Sequence, residues 1–219
     1  MKKLYSILAF TLLTVLTLSA QPKGMGKNDP DGKKVLDGVS AKFKTFKSVQ
    51  AKFLLKIENA SGKSLGIKSG SVYMKGSRYR ITVPGQEIFF DGSNVWTYDK
   101  SSNEVTISKI DPAANTITPQ KLFTNFYDKD FLYKLNGNVK MGTKNMQEVE
   151  LTPIDKTKPF HKVLLYVSNA TINTTKIFEK TGNRYTYSVN SMATNRAIPD
   201  ATFTFDTKKY PGVEVVDLR

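Results

Sequence analysis

The stretch IFFDGSNVWTYDKSSNEVTI, residues 88–107, reads as strand, turn, strand, turn, strand. Asp91-Gly92 breaks the chain after Ile88-Phe89-Phe90, Val95 to Tyr98 resume it, and Val105 and Ile107 alternate with polar neighbours beyond a turn from Asp99 to Asn103. Alternation with a period of two, punctuated by Gly, Asn, Asp and Ser, is the pattern of an antiparallel meander. The one Trp of the chain, Trp96, and Tyr98 share a face of such a strand, because successive side chains point to opposite sides. That face is either ordinary core or a surface built to receive something apolar.

The same alternation extends outward in both directions. In SRYRITV, Tyr79, Ile81 and Val83 oppose Arg78, Arg80 and Thr82, and Pro84-Gly85 punctuates. GSVYMKG reads as a strand carrying Val72, Tyr73 and Met74, NASGKSLG as a turn, and Phe53, Leu55 and Ile57 alternate with Lys52, Lys56 and Glu58 despite Leu54. Ahead of these, Val35, Val39, Phe43 and Phe46 recur at helical spacing, with Asp31 as the candidate N-cap. On the other side, Thr118-Pro119 predicts a second helix presenting Leu122, Phe123 and Phe126. Strands then return. Val149 and Leu151 alternate with Glu148 and Glu150, Val163, Leu165 and Val167 form a row, and Ile177-Phe178 and RYTYSV (Tyr185, Tyr187) flank the turn Thr181-Gly182-Asn183. ATFTF, with Phe203 and Phe205, and a terminal VEVVDLR complete the pattern. No internal repeat or linker divides it, so one domain over 33–219 is expected behind a flexible lead at 21–32.

The first 20 residues stand apart. Met1-Lys2-Lys3, an apolar run from Leu4 to Leu18 and LSA before Gln21 form a secretory signal peptide, too short for a membrane span. No Cys follows that run, so the chain is not itself a lipoprotein, and it must hold together by burial without disulfides. The net charge of +14 is spread thinly along the chain. For an exported protein this argues against nucleic acid and leaves a transient attraction to anionic membrane surfaces or acidic partners.

The inventory for catalysis is poor. With no Cys there is no thiol chemistry, and His161, the one His, cannot build a triad or a multi-His metal centre. Glu148 with Glu150, and Asp128 with Asp130, read as solvated side chains, and GKSLGIKSG lacks the order of a phosphate-binding loop. No enzyme activity, cofactor or metal is expected.

Roughly nine or ten strands with one apolar face need covering, and two short helices must do it. Such a sheet either closes as a barrel or stays half open beneath the helices. The candidate inward residues, Phe53, Tyr79, Phe90, Trp96, Tyr98, Tyr185 and Tyr187, are bulky. A dry core and a hydrophobic hollow both satisfy that pattern.

Taken together, SVQAKFLLKI, GSVYMKGSRYRI, FFDGSNVWTY, TPQKLF, VELTP, VLLYV and NRAIPDATFTFDTKKYPGVEVVDLR, in this order along nearly the whole chain, resemble the periplasmic lipoprotein carrier family, LolA. The most specific pieces are the DG-x₃-W-x-Y stretch and the tail N-x-x-I-x-D-x-x-F-x-F. The resemblance implies an unclosed antiparallel β half-barrel with a short helical lid over a hydrophobic cavity, in a monomeric carrier of the periplasm. Its partners would be triacylated lipoproteins, an ATP-driven inner-membrane extractor and an outer-membrane receptor. The alternative on the same scaffold is a non-enzymatic sensor of a lipid or partner, which in this superfamily usually carries an additional domain. The cavity is expected to draw on Phe53, Leu55, Ile57, Tyr79, Ile81, Val83, Ile88, Phe90, Trp96, Tyr98, Val163, Leu165, Tyr185 and Tyr187, and the lid on Val39, Phe43, Leu122, Phe123 and Phe126. The family often has an Arg latching the lid where this chain reads Gly76-Ser77, which makes Arg78 the candidate latch.

Overall fold

Two runs of consecutive hairpins make the architecture. In the computed structural model, which describes residues 28–109 and 127–219, helix α1 (Pro30–Lys44) precedes the first run: β1 (Val49–Glu58), β2 (Ser64–Lys75), β3 (Arg78–Val83), β4 (Gln86–Phe90), β5 (Asn94–Asp99) and β6 (Glu104–Lys109). A short α2 (Tyr127–Asp130) opens the second run: β7 (Phe131–Met141), β8 (Lys144–Pro153), β9 (Phe160–Ser168), β10 (Thr171–Glu179) and β11 (Arg184–Thr194), with β12 (Glu214–Asp217) at the end. Pairing of β1 with β11 joins the runs into one sheet of order β12-β6-β5-β4-β3-β2-β1-β11-β10-β9-β8-β7. Neighbours are antiparallel except β12, which runs parallel to β6. With β12 and β7 left as edges, the sheet is an unclosed half-barrel, and α1 packs on its inner face.

The helix start also protects an edge. Asp29, not Asp31, is the N-cap: its side chain accepts from the Asp31 N–H at 3.1 Å, and Pro30 takes the first helical position. The Asn28 amide oxygen accepts from the Tyr133 N–H at 3.1 Å, and the second Asp29 carboxylate oxygen accepts from the Leu135 N–H at 2.8 Å. Donors of edge strand β7 that would otherwise invite another strand are thus satisfied. Gly32 permits this approach, since a Cβ there would lie 3.1 Å from the Leu135 nitrogen.

Two apolar clusters occupy the inner face. Under the middle of α1, Leu36 and Val39 meet Tyr133, Val149, Leu151, Val163, Leu165 and Val167, all buried. On the other side, Val49, Ala51, Met74, Tyr79 and Phe90 form a second cluster, against which Phe43 and Phe46 pack. The outer face is covered only in part. The segment after β11 crosses β3–β6 there, stacking Phe205 on Tyr210 at 4.3 Å and packing it on Tyr98 at 5.5 Å and Phe89 at 5.6 Å, with Phe203 fully buried nearby.

Several local readings change. β2 begins at Ser64, so the turn is only Asn59–Lys63, closed by the Asn59 side chain accepting from the Lys63 N–H at 2.9 Å. ATFTF is not a strand: Asp200–Phe203 is a 3₁₀ turn. β7 escapes the period-two signal because it is an edge strand with a bulge at Gly137, whose φ of +116° suits glycine. The helix expected from Thr118 lies outside the described residues.

Candidate functional site

Between the two apolar clusters the inner face is not filled. A hollow of about 480 Å³ remains under the C-terminal half of α1. Val39, Phe43 and Phe46 roof it, and β1 contributes Val49, Ala51, Phe53 and Leu55. Val72 and Met74 of β2, Ile81 and Val83 of β3, and Ile88 of β4 continue the wall. Ile172, Thr174, Thr175 and Ile177 of β10 and Tyr187, Val189 and Met192 of β11 close the far side. No Asp, Glu, Lys or Arg appears among these described lining residues, and burial pushes the Tyr187 hydroxyl up from its ordinary pKa. A mainly apolar, uncharged lining offers dispersion and desolvation to a guest, so the hollow suits apolar matter.

The size sets the scale of a guest. An apolar cavity of about 150 Å³ accommodates one benzene. At that density 480 Å³ holds roughly 19 carbons, the size of one long acyl chain. One wall depends on a missing side chain. Phe53 lies over Gly70 of the adjacent strand, where a Cβ would come within 2.3 Å of the ring.

α1 is pinned at one end. The Tyr127 hydroxyl donates to Asp37 at 2.8 Å, Lys33 bridges Asp37 at 3.0 Å and Asp128 at 3.3 Å, and the Tyr133 hydroxyl donates to Asp128 at 2.9 Å. Burial and the Asp37 carboxylate raise the Tyr127 pKa, while the Tyr127 and Lys33 hydrogen bonds lower that of Asp37. This network ties the first half of the helix to β7 and α2. Near the hollow, Lys42 donates to the Asn169 carbonyl at 2.7 Å.

Of the residues expected at a cavity, Phe53, Leu55, Ile81, Val83, Ile88 and Tyr187 line this hollow, with Val39 and Phe43 above them. Tyr79 and Phe90 share the inner face but pack on each other at 5.1 Å beside the hollow. Ile57 and Tyr185 are cross-strand partners further along that face, and Val163 and Leu165 sit in the dry cluster. Leu122, Phe123 and Phe126 lie outside the described residues.

The places of two expected cavity residues, Trp96 and Tyr98, are corrected. Phe90 pairs with Val95 and Phe89 with Trp96, which turns Trp96 and Tyr98 to the outer face, away from the hollow. β4 and β5 are apolar on both sides because the C-terminal segment covers the second one, so alternation could not assign a face. Arg78, the candidate latch, faces away from α1 among the described residues. It lies on the outer face, 3.2 Å from Asp200 of the C-terminal segment and over the Phe203 ring at 5.5 Å. Val72, Met74 and Val189 also line the hollow without having been expected there, although cross-strand pairing sets them beside Ala51, Val49 and Phe53.

The model of the family described as "Outer membrane lipoprotein carrier protein LolA" matches residues 44–206, most of the chain. The chain belongs to the LolA family. Among curated members, an outer-membrane lipoprotein carrier protein of Pseudomonas putida (strain GB-1) is 29% identical over 176 residues, covering 77% of this chain and 81% of the relative. One from a second Pseudomonas putida strain is 26% identical over 212 residues, covering 94% of this chain and 96% of its own. A solved structure of an uncharacterized conserved protein from Thermus thermophilus superposes with a TM-score of 0.57 at 13% identity, covering 85% of this chain and 99% of that one, which shows a shared fold. The LolA match spans the end of α1, the first eleven strands and the Phe203–Phe205 cover.

Proposed function

We propose that this LolA-family protein is a non-enzymatic carrier of the periplasm that shields acyl chains of lipoproteins in the hollow under α1. In this reading a signal peptide at residues 1–20 exports the chain, and a single monomeric carrier domain follows that takes in residues 28–32 as well as 33–219, because Asn28 and Asp29 already hold β7. The protein accepts triacylated lipoproteins from an ATP-driven extractor in the inner membrane and delivers them to a receptor at the outer membrane. The observation that carries the proposal is the uncharged hollow of about 480 Å³ beneath an amphipathic helix.

The energetics favour such a device. Three chains of about 16 carbons cost on the order of 40 kcal/mol to expose to water, at about 0.8 kcal/mol per CH₂. The hollow as it stands takes roughly one of the three, so the others require α1 with Phe43, and Phe46 just after it, to move outward. A roof resting on two aromatic side chains, tied down mainly at its far end, suits both loading and release. The test is uptake of a fluorescent fatty acid by delipidated protein, with mass spectrometry of freshly isolated protein. Saturable uptake near one chain per molecule and a copurifying lipidated polypeptide are expected. Failure to take up any apolar probe refutes the reading.

A further inference from the structure

Among the described residues nothing covers the outer face where the C-terminal segment does not reach, and there its cross-strand rows mix cations with apolar groups. One row runs Glu58, Arg184, Phe178, Lys162 across β1, β11, β10 and β9. The next runs Ile67, Lys56, Thr186, Lys176 across β2, β1, β11 and β10. Three cations crowd the Phe178 ring: Lys162 at 4.6 Å, Lys176 at 5.4 Å and Arg184 at 5.8 Å. Glu58, the carboxylate in these rows, is held by Lys56 at 2.9 Å. Further along, Glu148 and Glu150 of β8 end the cationic region.

At the margin of this region the β1–β2 hairpin projects. β2 pairs with β3 only from Ser71 to Lys75, so Ser64–Gly70 is a free edge among the described residues. Leu65 and Ile67 on that edge are 59% and 64% exposed, and Lys63 and Lys68 flank them. Lysines alone would serve to discourage strand addition. Two large exposed aliphatic side chains beside a cationic, aromatic-bearing face do the opposite and need a partner that takes both.

We infer that the outer face of β1, β2, β10 and β11, led by Leu65 and Ile67 on the β1–β2 hairpin, docks on an anionic lipid bilayer surface. The positive rows complement the headgroup charge, and the two aliphatic side chains enter the zone between headgroups and acyl chains. The open edge of β2 limits the depth. Its unpaired backbone groups stay at headgroup level, because hydrocarbon would leave them unsatisfied. Contact is therefore shallow, salt-sensitive and reversible. It places the hairpin end of the half-barrel against a membrane and does not depend on what occupies the hollow.

The chain has no Cys, so Ile67→Cys in the mature protein can be labelled uniquely with an environment-sensitive fluorophore. Vesicles of phosphatidylethanolamine containing one third phosphatidylglycerol should shift the emission to the blue, and neutral phosphatidylcholine vesicles should not. The same label at Ser101, in the exposed β5–β6 turn, should stay unchanged. In sedimentation of unlabelled protein, Ile67→Asp should lower binding to the anionic vesicles about tenfold or more, and raised salt should release wild type. Fatty-acid uptake by Ile67→Asp should remain as in wild type, which separates this inference from the carrier reading. Absence of the blue shift, equal binding to neutral vesicles, or unchanged binding of Ile67→Asp overturns the inference. A shift that follows protein concentration without vesicles overturns it too, by assigning the face to a second copy of the chain.

Discussion

Gly70→Ala asks whether the space beside Phe53 is empty. The added Cβ would lie 2.3, 2.7 and 2.9 Å from three atoms of the Phe53 ring, whereas carbon atoms rest at about 3.5–4.0 Å. The ring edge must therefore retreat by more than about 1 Å. If it swings into the hollow, the strain of a displaced rotamer costs about 0.5–1.5 kcal/mol. Alanine meanwhile removes freedom from the unfolded chain, which contributes about 0.4–1 kcal/mol in the other direction, because Gly70 has no left-handed backbone to lose. Stability should thus change by no more than about 1 kcal/mol. The intruding ring takes the room of one or two methylenes. At about 0.8 kcal/mol each, fatty-acid affinity should fall roughly four- to fifteenfold. Urea unfolding and fluorescent fatty-acid titration read the two quantities, and Phe53→Leu in the Gly70→Ala background should restore binding. A loss of about 3 kcal/mol or more with no change in uptake would refute the reasoning, since it would mean the ring is locked in a filled core.

On the other face, Tyr98→Ala removes a buried ring that contacts Phe205 and Tyr210 at 5.5 and 4.6 Å; a loss of about 3–5 kcal/mol in urea unfolding is expected, with fatty-acid affinity of the folded protein unchanged. Arg78→Ala breaks an ion pair with the largely exposed Asp200 and should cost less than about 1 kcal/mol; uptake and release rates measured by stopped flow should match wild type, and a changed release rate would reinstate Arg78 as a latch. Stability should also depend on pH through carboxylates. The Leu135 N–H lowers the pKa of Asp29, and Tyr127 and Lys33 lower that of Asp37. Burial pushes Glu87 up, but Arg80 and Lys100 pull it further down. Groups depressed in the folded state stabilise it above the unfolded value of about 4 and cease to as pH falls through the folded one. Urea midpoints should hold steady between neutral pH and about 5 and decline below about 4; a decline starting above pH 6 would contradict this assignment.

How far the sequence reaches differs between the two faces. Where one side of a strand is wet, alternation identifies the inner residues. Arg78, Arg80 and Thr82 leave Tyr79, Ile81 and Val83 nowhere but the inner face, and the structure puts them there. Family, strand-rich class and the amphipathic first helix were legible for the same reason, since each rests on local period or ordered motifs. Opposite faces of β4 and β5 were not. IFF and VWTY are apolar at adjacent positions because a segment more than 100 residues away in sequence roofs the second face with Phe205 and Tyr210. Only cross-strand register, carried from Tyr79 to Phe90 to Val95, decides which way Trp96 points.

The amino-acid sequence by itself determined that there would be a large apolar sheet with too little helix to cover it, because side-chain period and helix signals are properties of short segments. That the shortfall becomes a hollow, and that Val163 and Leu165 close into a dry cluster while Phe53 and Tyr187 border empty space, was decided by where α1 comes to rest. Its capped start is fastened to β7 by Asn28 and Asp29, so Leu36 fills one end of the half-barrel and Phe43 spans the other without filling it. Volume left between packed elements is a property of their distances, and no pattern along the chain encodes it.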